Sequence, residues 1–393
     1  MLVKTKNQPS VAIYLLGLAT FVIFLSAHLI TPLVPDLAQN LGAEDLSIVT
    51  VIGLYIVLLA LFQIFTGALA DLYGKRRIIA LGAFLGALSS LLCTLAWSWE
   101  QLLVLRAFGG IADAIAGPAL LALVAELSGE QKGKAMGIFR SSQGLAFIIG
   151  PPLGGAMAYF FSLYTPFYAD FGLTLLGILI FLFLVPEAKR ERRNLMHSPL
   201  ESLKFIKQDL TLMKIAFLGF TETFAFAALS SFVPAVALGL GMSGVEIAAF
   251  ITAEAVGFTL TNMVIGTLSD RIGRKPIMIL GLVSSSAVFV AFFSATGFWQ
   301  ILLLMALYGF GGSCVYVMGS TMAVDILPEE NRATLFGAFD ALMDLGLVAG
   351  PSICLAFLAI TGWSIYYSFF FMAIPSLIAL SFIFKVKETM QKR

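Results

Sequence analysis

The chain has 393 residues, of which 59% are apolar or aromatic and 12% charged, with a formal net charge of +1. Mean hydropathy is +0.96. A water-soluble protein of this length could not hide so much apolar surface, so the solvent is lipid, and the near-neutral balance gives no bulk attraction to nucleic acid. Cys93, Cys314 and Cys354 stand in apolar runs without CxxC or Cys/His spacing, which argues against a disulfide framework or a metal site.

A helix needs about 20 apolar residues to cross the hydrocarbon core. Twelve runs qualify: 11–34, 46–69, 78–96, 102–125, 136–160, 170–186, 214–237, 246–268, 277–295, 301–326, 335–359 and 366–384. Most end in turn or charge signals such as Asp71-Leu-Tyr-Gly74 or Pro328-Glu-Glu-Asn331. The first run follows Lys4 and Lys6 but is too long for a signal-peptide core, and reads as an uncleaved first span.

Of the 24 Lys and Arg residues, only Arg106 and Arg140 fall inside spans. In a twelve-span arrangement the other 22 lie on one side: Lys4 and Lys6, Lys75 to Arg77, Lys132 and Lys134, seven from Lys189 to Lys214, Arg271 to Lys275, Arg332, and four from Lys385 to Arg393. The opposite loops carry only acids such as Asp36, Glu44, Asp45, Glu100, Asp170 and Glu246. Both termini are therefore expected on the cytoplasmic side.

The chain is written twice. Gly67-Ala-Leu-Ala-Asp71-Leu-Tyr-Gly74-Lys75-Arg76 recurs 199 residues later as Gly266-Thr-Leu-Ser-Asp270-Arg-Ile-Gly273-Arg274-Lys275. Leu41-Gly42 and Leu240-Gly241 share that offset, Glu126 matches Asp325, and Gly150-Pro151 matches Gly350-Pro351 at 200. The expectation is an N-terminal six-helix half over 1–186, a basic cytoplasmic linker over 187–213 lying on lipid headgroups, and a C-terminal six-helix half over 214–393.

These residues carry a resemblance. Gly67-x-Leu-Ala-Asp71-x-x-Gly74-x-Arg76-Arg77 between spans 2 and 3 resembles the signature loop of the major facilitator superfamily. Gly150-Pro151-Pro152-Leu153-Gly154-Gly155 in span 5 and Leu102-Leu-Val-Leu-Arg106-Ala-Phe-Gly109-Gly110 in span 4 resemble motifs of its twelve-span drug–proton antiporter branch. The resemblance implies an all-α polytopic membrane protein of two pseudo-symmetric halves. It also implies that Asp71, Arg76, Arg77 and Glu126, repeated as Asp270, Arg274 and Asp325, latch a cytoplasmic gate.

The loop has a mechanical reading of its own. Gly67 and Gly74 permit close approach and a tight turn, and Asp71 can accept from a neighbouring helix N-terminus, where an anion is favoured by roughly 0.3–1 kcal/mol. The plainer alternative is a positive anchor with a turn. In the copy, Pro276 stands where the third base would be. In span 5, Pro151 and Pro152 remove donors while Gly150, Gly154 and Gly155 admit a second helix, so a bent span packed on its counterpart from the other half is expected; a structural kink without directional meaning is the alternative.

Seven ionisable residues lie well inside spans: Arg106, Asp113, Arg140, Glu222, Glu254, Asp340 and Asp344. Each costs about 2.5–3.5 kcal/mol at a helix centre, so they should face a cavity or one another. Arg140 is expected to pair with Glu222 or Asp340 as a cavity charge network. Asp113, two helical turns inward from Arg106 and on its face, and Glu254 and Asp344, without a base at their level, lie near mid-depth and suit proton coupling; packing roles through Ser, Thr or Asn remain the alternative. His28 reads chiefly as a packing residue, and Phe24, Phe139, Phe220, Phe224 and Phe226 could form an apolar, cation–π-capable wall.

The function expected is proton-coupled efflux of amphipathic or cationic small molecules by alternating access, in a multi-pass protein of the cell membrane. Proton-coupled carriage of one metabolite (amino acid, sugar or siderophore) is the alternative. Small-molecule substrate and lipid bilayer are the expected partners, the chain acting as a monomer without nucleic acid, and with no cofactor beyond the coupling proton. Two histidines and no HExxH, GxSxG or Walker loop argue against an enzyme or ATP-driven pump.

Overall fold

The computed structural model describes residues 11–129, 131–186, 199–363 and 365–389. Lys4, Lys6, linker residues 187–198 and the last four residues lie outside them. The described residues are almost wholly helical: α1 (Val11–Ile30), α2 (Val34–Asn40), α3 (Asp45–Tyr73), α4 (Lys75–Cys93), α5 (Trp99–Ser128), α6 (Lys132–Phe160) and α7 (Thr165–Leu184). A short helix α8 (Pro199–Gln208) follows, then α9 (Leu210–Gly239), α10 (Gly244–Ile272), α11 (Arg274–Phe292), α12 (Phe298–Ile326), α13 (Arg332–Thr361) and α14 (Tyr366–Ile383).

Taking α1 and α2 as one span, these helices give the twelve long segments read from the sequence. Eleven are long and apolar enough to cross a membrane on their own composition. The twelfth, α6, carries Lys132, Lys134 and Arg140 in its first half and the Gly-Pro-Pro run in its second, and is not among the eleven. The first span is interrupted by a 3-10 turn at Thr31–Leu33. Pro32 and Pro35 lack the N–H donors that would continue an α-helix there.

The ends of the helices follow local chemistry. Ser243 and Glu246 form a reciprocal capping box at the start of α10, and Asp209 accepts from Thr211 and Leu212 N–H at 2.8 and 3.1 Å to start α9. Gly74 and Gly273, the repeat-equivalent breaks between long helices, have φ of 95° and 102°, a region open to glycine and strained for other residues.

The helices sort into two compact units. The first comprises Met1–Gln131, Ser142–Leu203 and Leu327–Ala338; the second comprises Lys132–Ser141, Lys204–Ile326 and Phe339–Arg393. Each unit thus includes one short segment from beyond its own half of the sequence. In the first, α3 packs on α5, α4 on α5 and α7, and α1 on α7; in the second, α10 packs on α12, α11 on α12 and α14, and α9 on α14. The pattern is the same one used twice, down to matched glycines. A Cβ on Gly110 would run into the Tyr55 carbonyl, and one on Gly309 into the Glu254 carbonyl. Within the linker region, α8 buries Ser202 and Ile206.

Candidate functional site

The signature loop and its copy build two equivalent latches. In the first unit, Asp71 Oδ2 accepts from the backbone N–H and the hydroxyl of Thr334, at 2.8 and 2.7 Å, in the first turn of α13. In the second, Asp270 accepts from the backbone N–H groups of Gly133 and Lys134, at 3.0 and 2.9 Å, in the first turn of α6. Those first-turn donors have no partner inside their own helix, so a carboxylate there gains both hydrogen bonds and the favourable end of the helix dipole. The close approach depends on glycine: a Cβ on Gly67 would overlap the Ala333 backbone, and one on Gly266 would meet the Gly133 carbonyl.

Of the loop's three bases, Lys75 makes the contacts expected of the set. Lys75 bridges Asp71 at 3.5 Å and Glu126 at 2.6 Å. Arg77 is exposed, and Arg76 Nε is buried without a hydrogen-bond partner among the described residues. In the copy, Arg274 reaches Asp270 at 2.8 Å and Asp325 at 3.4 Å, and Lys132 reaches Asp325 at 3.2 Å. This latch has a further part that the sequence did not disclose. Glu388 accepts from the Arg274 and Lys275 backbone N–H at 3.1 and 3.0 Å, while Lys275 Nζ donates to the Phe384 and Val386 carbonyls and Thr389 Oγ1 to Asp325. The segment after α14 therefore caps α11 in the way that Asp270 caps α6.

The Gly-Pro-Pro motif is placed differently from expectation. Gly150 and Gly154 press against α1 of the same unit, where added Cβ atoms would overlap His28 and the Leu29 carbonyl, and Gly155 has open space beside it. The helix is continuous through Pro151 and Pro152. The close contact of Gly150 and Gly154 is made to α1, because the two, four residues apart, share one face.

The charged residues inside spans fall into three groups. In the first unit, Tyr55 on α3 joins Arg106 and Asp113 on α5: its hydroxyl donates to Asp113 Oδ2 at 2.5 Å, and the Arg106 guanidinium lies 4.3 Å from its ring centroid. Tyr55 escaped the sequence reading because a lone tyrosine in an apolar span has no distinguishing pattern. Asp170, taken as an outer-loop acid, lies inside α7 and is 2% exposed; the span begins at Thr165, five residues earlier than hydropathy placed it.

In the second unit, Glu222 on α9 and Glu254 on α10 are both buried and within electrostatic reach of each other and of Tyr308 on α12. Tyr308 donates to the Glu222 backbone carbonyl at 3.1 Å. The third group holds Arg140, Tyr316, Asp340 and Asp344. Arg140 stacks over Tyr316 at 4.7 Å and Phe139 at 5.6 Å and donates to Ser320 Oγ at 3.4 Å. Of its two expected partners, Asp340 lies within its electrostatic reach, while Glu222 belongs to the Glu254–Tyr308 group. No cluster of three His, Cys, Asp or Glu suited to a metal occurs among the described residues.

Twelve long helices, two units packed alike and twin aspartate latches at helix starts correspond to a known family. The model of the Major Facilitator Superfamily matches residues 16–253 and again 215–393. The chain belongs to that superfamily. It is a multi-pass membrane transporter. It is 26% identical over 353 residues to an uncharacterized MFS-type transporter of Methanocaldococcus jannaschii, covering 88% of this chain and 91% of that one. It is also 26% identical over 311 residues to Multidrug resistance protein 2 of Bacillus subtilis, covering 77% of each. The quinolone resistance protein NorA of Staphylococcus aureus is 31% identical over 183 residues, 45% of this chain and 46% of that one. Among solved structures, the human organic anion transporter TETRAN aligns with TM-score 0.83 at 18% identity over 96% of this chain and 100% of its own. The Escherichia coli fucose:proton symporter aligns with the same score at 16% identity, over 97% and 100%; these likenesses bear on the fold.

Proposed function

We propose that this transporter couples the entry of protons to the export of amphipathic, cationic small molecules across the cell membrane, working as a monomer with both termini cytoplasmic and no cofactor beyond the proton. The observation that carries the reading is the charge count inside the spans. Six acids (Asp113, Asp170, Glu222, Glu254, Asp340 and Asp344) stand against two bases, Arg106 and Arg140. Five of the six are buried and Asp113 is half-buried. So large an excess of buried carboxylates is held only when protons, a cationic substrate, or each in turn offsets it. Exchange of the two at shared carboxylates is antiport. The drug-resistance names of two relatives point the same way.

Alternating access then has a structural means. The two latches hold the first turns of α6 and α13, and opening toward the cytoplasm would release Asp71 from Thr334 and Asp270 from Gly133 and Lys134. Breaking charge-assisted hydrogen bonds of this kind costs on the order of 1.5–3 kcal/mol each, small enough for a proton or a substrate to repay.

The test uses purified protein in liposomes loaded with a pH-sensitive dye, under an imposed pH gradient. Tetraphenylphosphonium, a lipophilic cation, is expected to drive proton movement and a neutral sugar is not. Proton movement with the sugar alone would replace this reading by that of a metabolite carrier.

A further inference from the structure

We propose that Asp170 is a second proton-carrying carboxylate of this transporter, switched by a chain of hydroxyls and coupled to Asp113; its part in transport rests on the proton-driven reading above.

The argument is a count of hydrogens. Asp170 Oδ1 and Thr174 Oγ1 on α7 are 3.3 Å apart. Thr174 Oγ1 and Ser26 Oγ on α1 are 2.6 Å apart, and Ser26 Oγ lies 2.7 Å from the Ile23 carbonyl oxygen. These three contacts form one line that ends at a carbonyl, which can only accept. Each contact needs one hydrogen, and two hydroxyls supply two. With a proton on Asp170 the line is complete: Asp170 donates to Thr174, Thr174 to Ser26, and Ser26 to Ile23. Without it the line reverses, so that Thr174 donates to the carboxylate and Ser26 to Thr174 or to the carboxylate itself, while the Ile23 carbonyl keeps only its helical N–H.

Ser26, Thr174 and Asp170 are all at least 97% buried, so water does not readily supply a further hydrogen, and neither state makes every contact. A charged Asp170 keeps its hydroxyl donors at the cost of a buried charge; a neutral one avoids that cost and gives those donors up. The two costs oppose one another, which keeps both states within reach.

Ser90 on α4 carries the coupling. Its hydroxyl lies against the Asp170 carboxyl and 3.3 Å from the Gly86 carbonyl. It has one hydrogen for two acceptors, so it turns to Asp170 when that group is charged and to Gly86 when it is not. Gly86 abuts Asp113: a Cβ there would lie 2.8 Å from Asp113 Oδ1. The titratable groups within electrostatic reach of Asp170 are Asp113 from α5, Tyr55 from α3 and Cys93 from α4, with Arg106 acting on Tyr55 and Cys93. On the other packed element, α1, the polar group at the carboxyl among the described residues is Ser26. Two carboxylates within electrostatic reach titrate as a coupled pair.

Infrared difference spectra of the purified full chain, recorded between acid and alkaline pH, test this without a substrate. A protonated-carboxyl C=O band is expected in the wild type, lost in Asp170→Asn, shifted in frequency by Thr174→Val, and moved in its pH midpoint by Asp113→Asn. A wild-type spectrum preserved in Asp170→Asn would overturn the assignment. A band that ignores Asp113→Asn would overturn the coupling. Should Asp170→Asn fail to fold, Thr174→Val decides, because a band indifferent to that substitution does not belong to Asp170. In liposomes, protons moved per tetraphenylphosphonium are expected to fall in Asp170→Asn. An unchanged ratio there overturns the part in transport, whereas no proton movement in the wild type overturns the export reading and leaves the infrared result standing.

Discussion

At the scale of single residues, the arrangement around Asp113 shows how one side chain can serve two charges. Tyr55 offers its ring face to Arg106 and its hydroxyl to Asp113, so the two ions are linked through an uncharged group. An aromatic face attracts a cation by about 0.5–2 kcal/mol depending on desolvation, and a hydrogen bond to a charged acceptor contributes about 1.5–3 kcal/mol. Asp113→Asn keeps a group able to accept from Tyr55 and removes the titration. It is expected to abolish proton-coupled movement of tetraphenylphosphonium in liposomes while leaving its binding measurable by calorimetry; full coupling in that variant would remove Asp113 from the mechanism. Tyr55→Phe keeps the ring under Arg106 and deletes the donor. It is expected to shift the pH profile of transport, and an identical profile would reduce the hydroxyl to packing.

At the scale of elements, the packing of α6 on α1 is decided by which glycine faces which neighbour. Gly154 touches the Leu29 backbone, and Gly155, its sequence neighbour, faces open space. Gly154→Ala forces two backbones apart and is expected to destabilise the protein by about 1–3 kcal/mol, the usual range for overpacking a tight contact. Gly155→Ala, at a helical position with room for a methyl, is expected to be neutral or slightly stabilising. Thermal unfolding of the detergent-solubilised variants separates the two, and equal midpoints would show that the contact with α1 is not a constraint. The adjacent prolines in α6 are tolerable for a related reason: the lost donors leave carbonyls that small neighbours allow other groups to approach.

At the scale of the whole molecule, the repeat is physical as well as textual. Asp71 and Asp270 stand 199 residues apart and each caps the first turn of a helix, α13 and α6 respectively. The copies are unequal. The second has Arg274 in place of Lys75, and Glu388 and Thr389 attach the segment after α14 to it. Asp71→Asn removes the charge that favours the helix start, about 0.3–1 kcal/mol, which is roughly a two- to fivefold change in a two-state equilibrium. A several-fold slowing of turnover at normal expression is expected for Asp71→Asn, and a smaller one for Asp270→Asn, whose copy retains the Glu388 clamp. Among the described residues the two aspartates share no hydrogen-bonding partner, so the double variant should show about the sum of the two effects in free energy. Turnover unchanged in all three would make the loops anchors.

Much of this was legible in the amino-acid order. Lipid as solvent, twelve spans, the repeat and the latch aspartates follow from features that act locally or count simply: apolar length, the sidedness of Lys and Arg, and glycines where the chain must turn. Asp170 was misplaced because hydropathy reports an average over a window. It cannot tell an acid at a helix end in water from one inside that Ser26, Ser90 and Thr174 on three helices surround with hydroxyls. Tyr55 and Glu388 were missed for the same reason, since their partners are 58 and 114 residues away in sequence. Which acid sits with which base is likewise a matter of side chains converging from separate helices. Periodicity specifies the face a residue occupies, and only packing decides what stands opposite it.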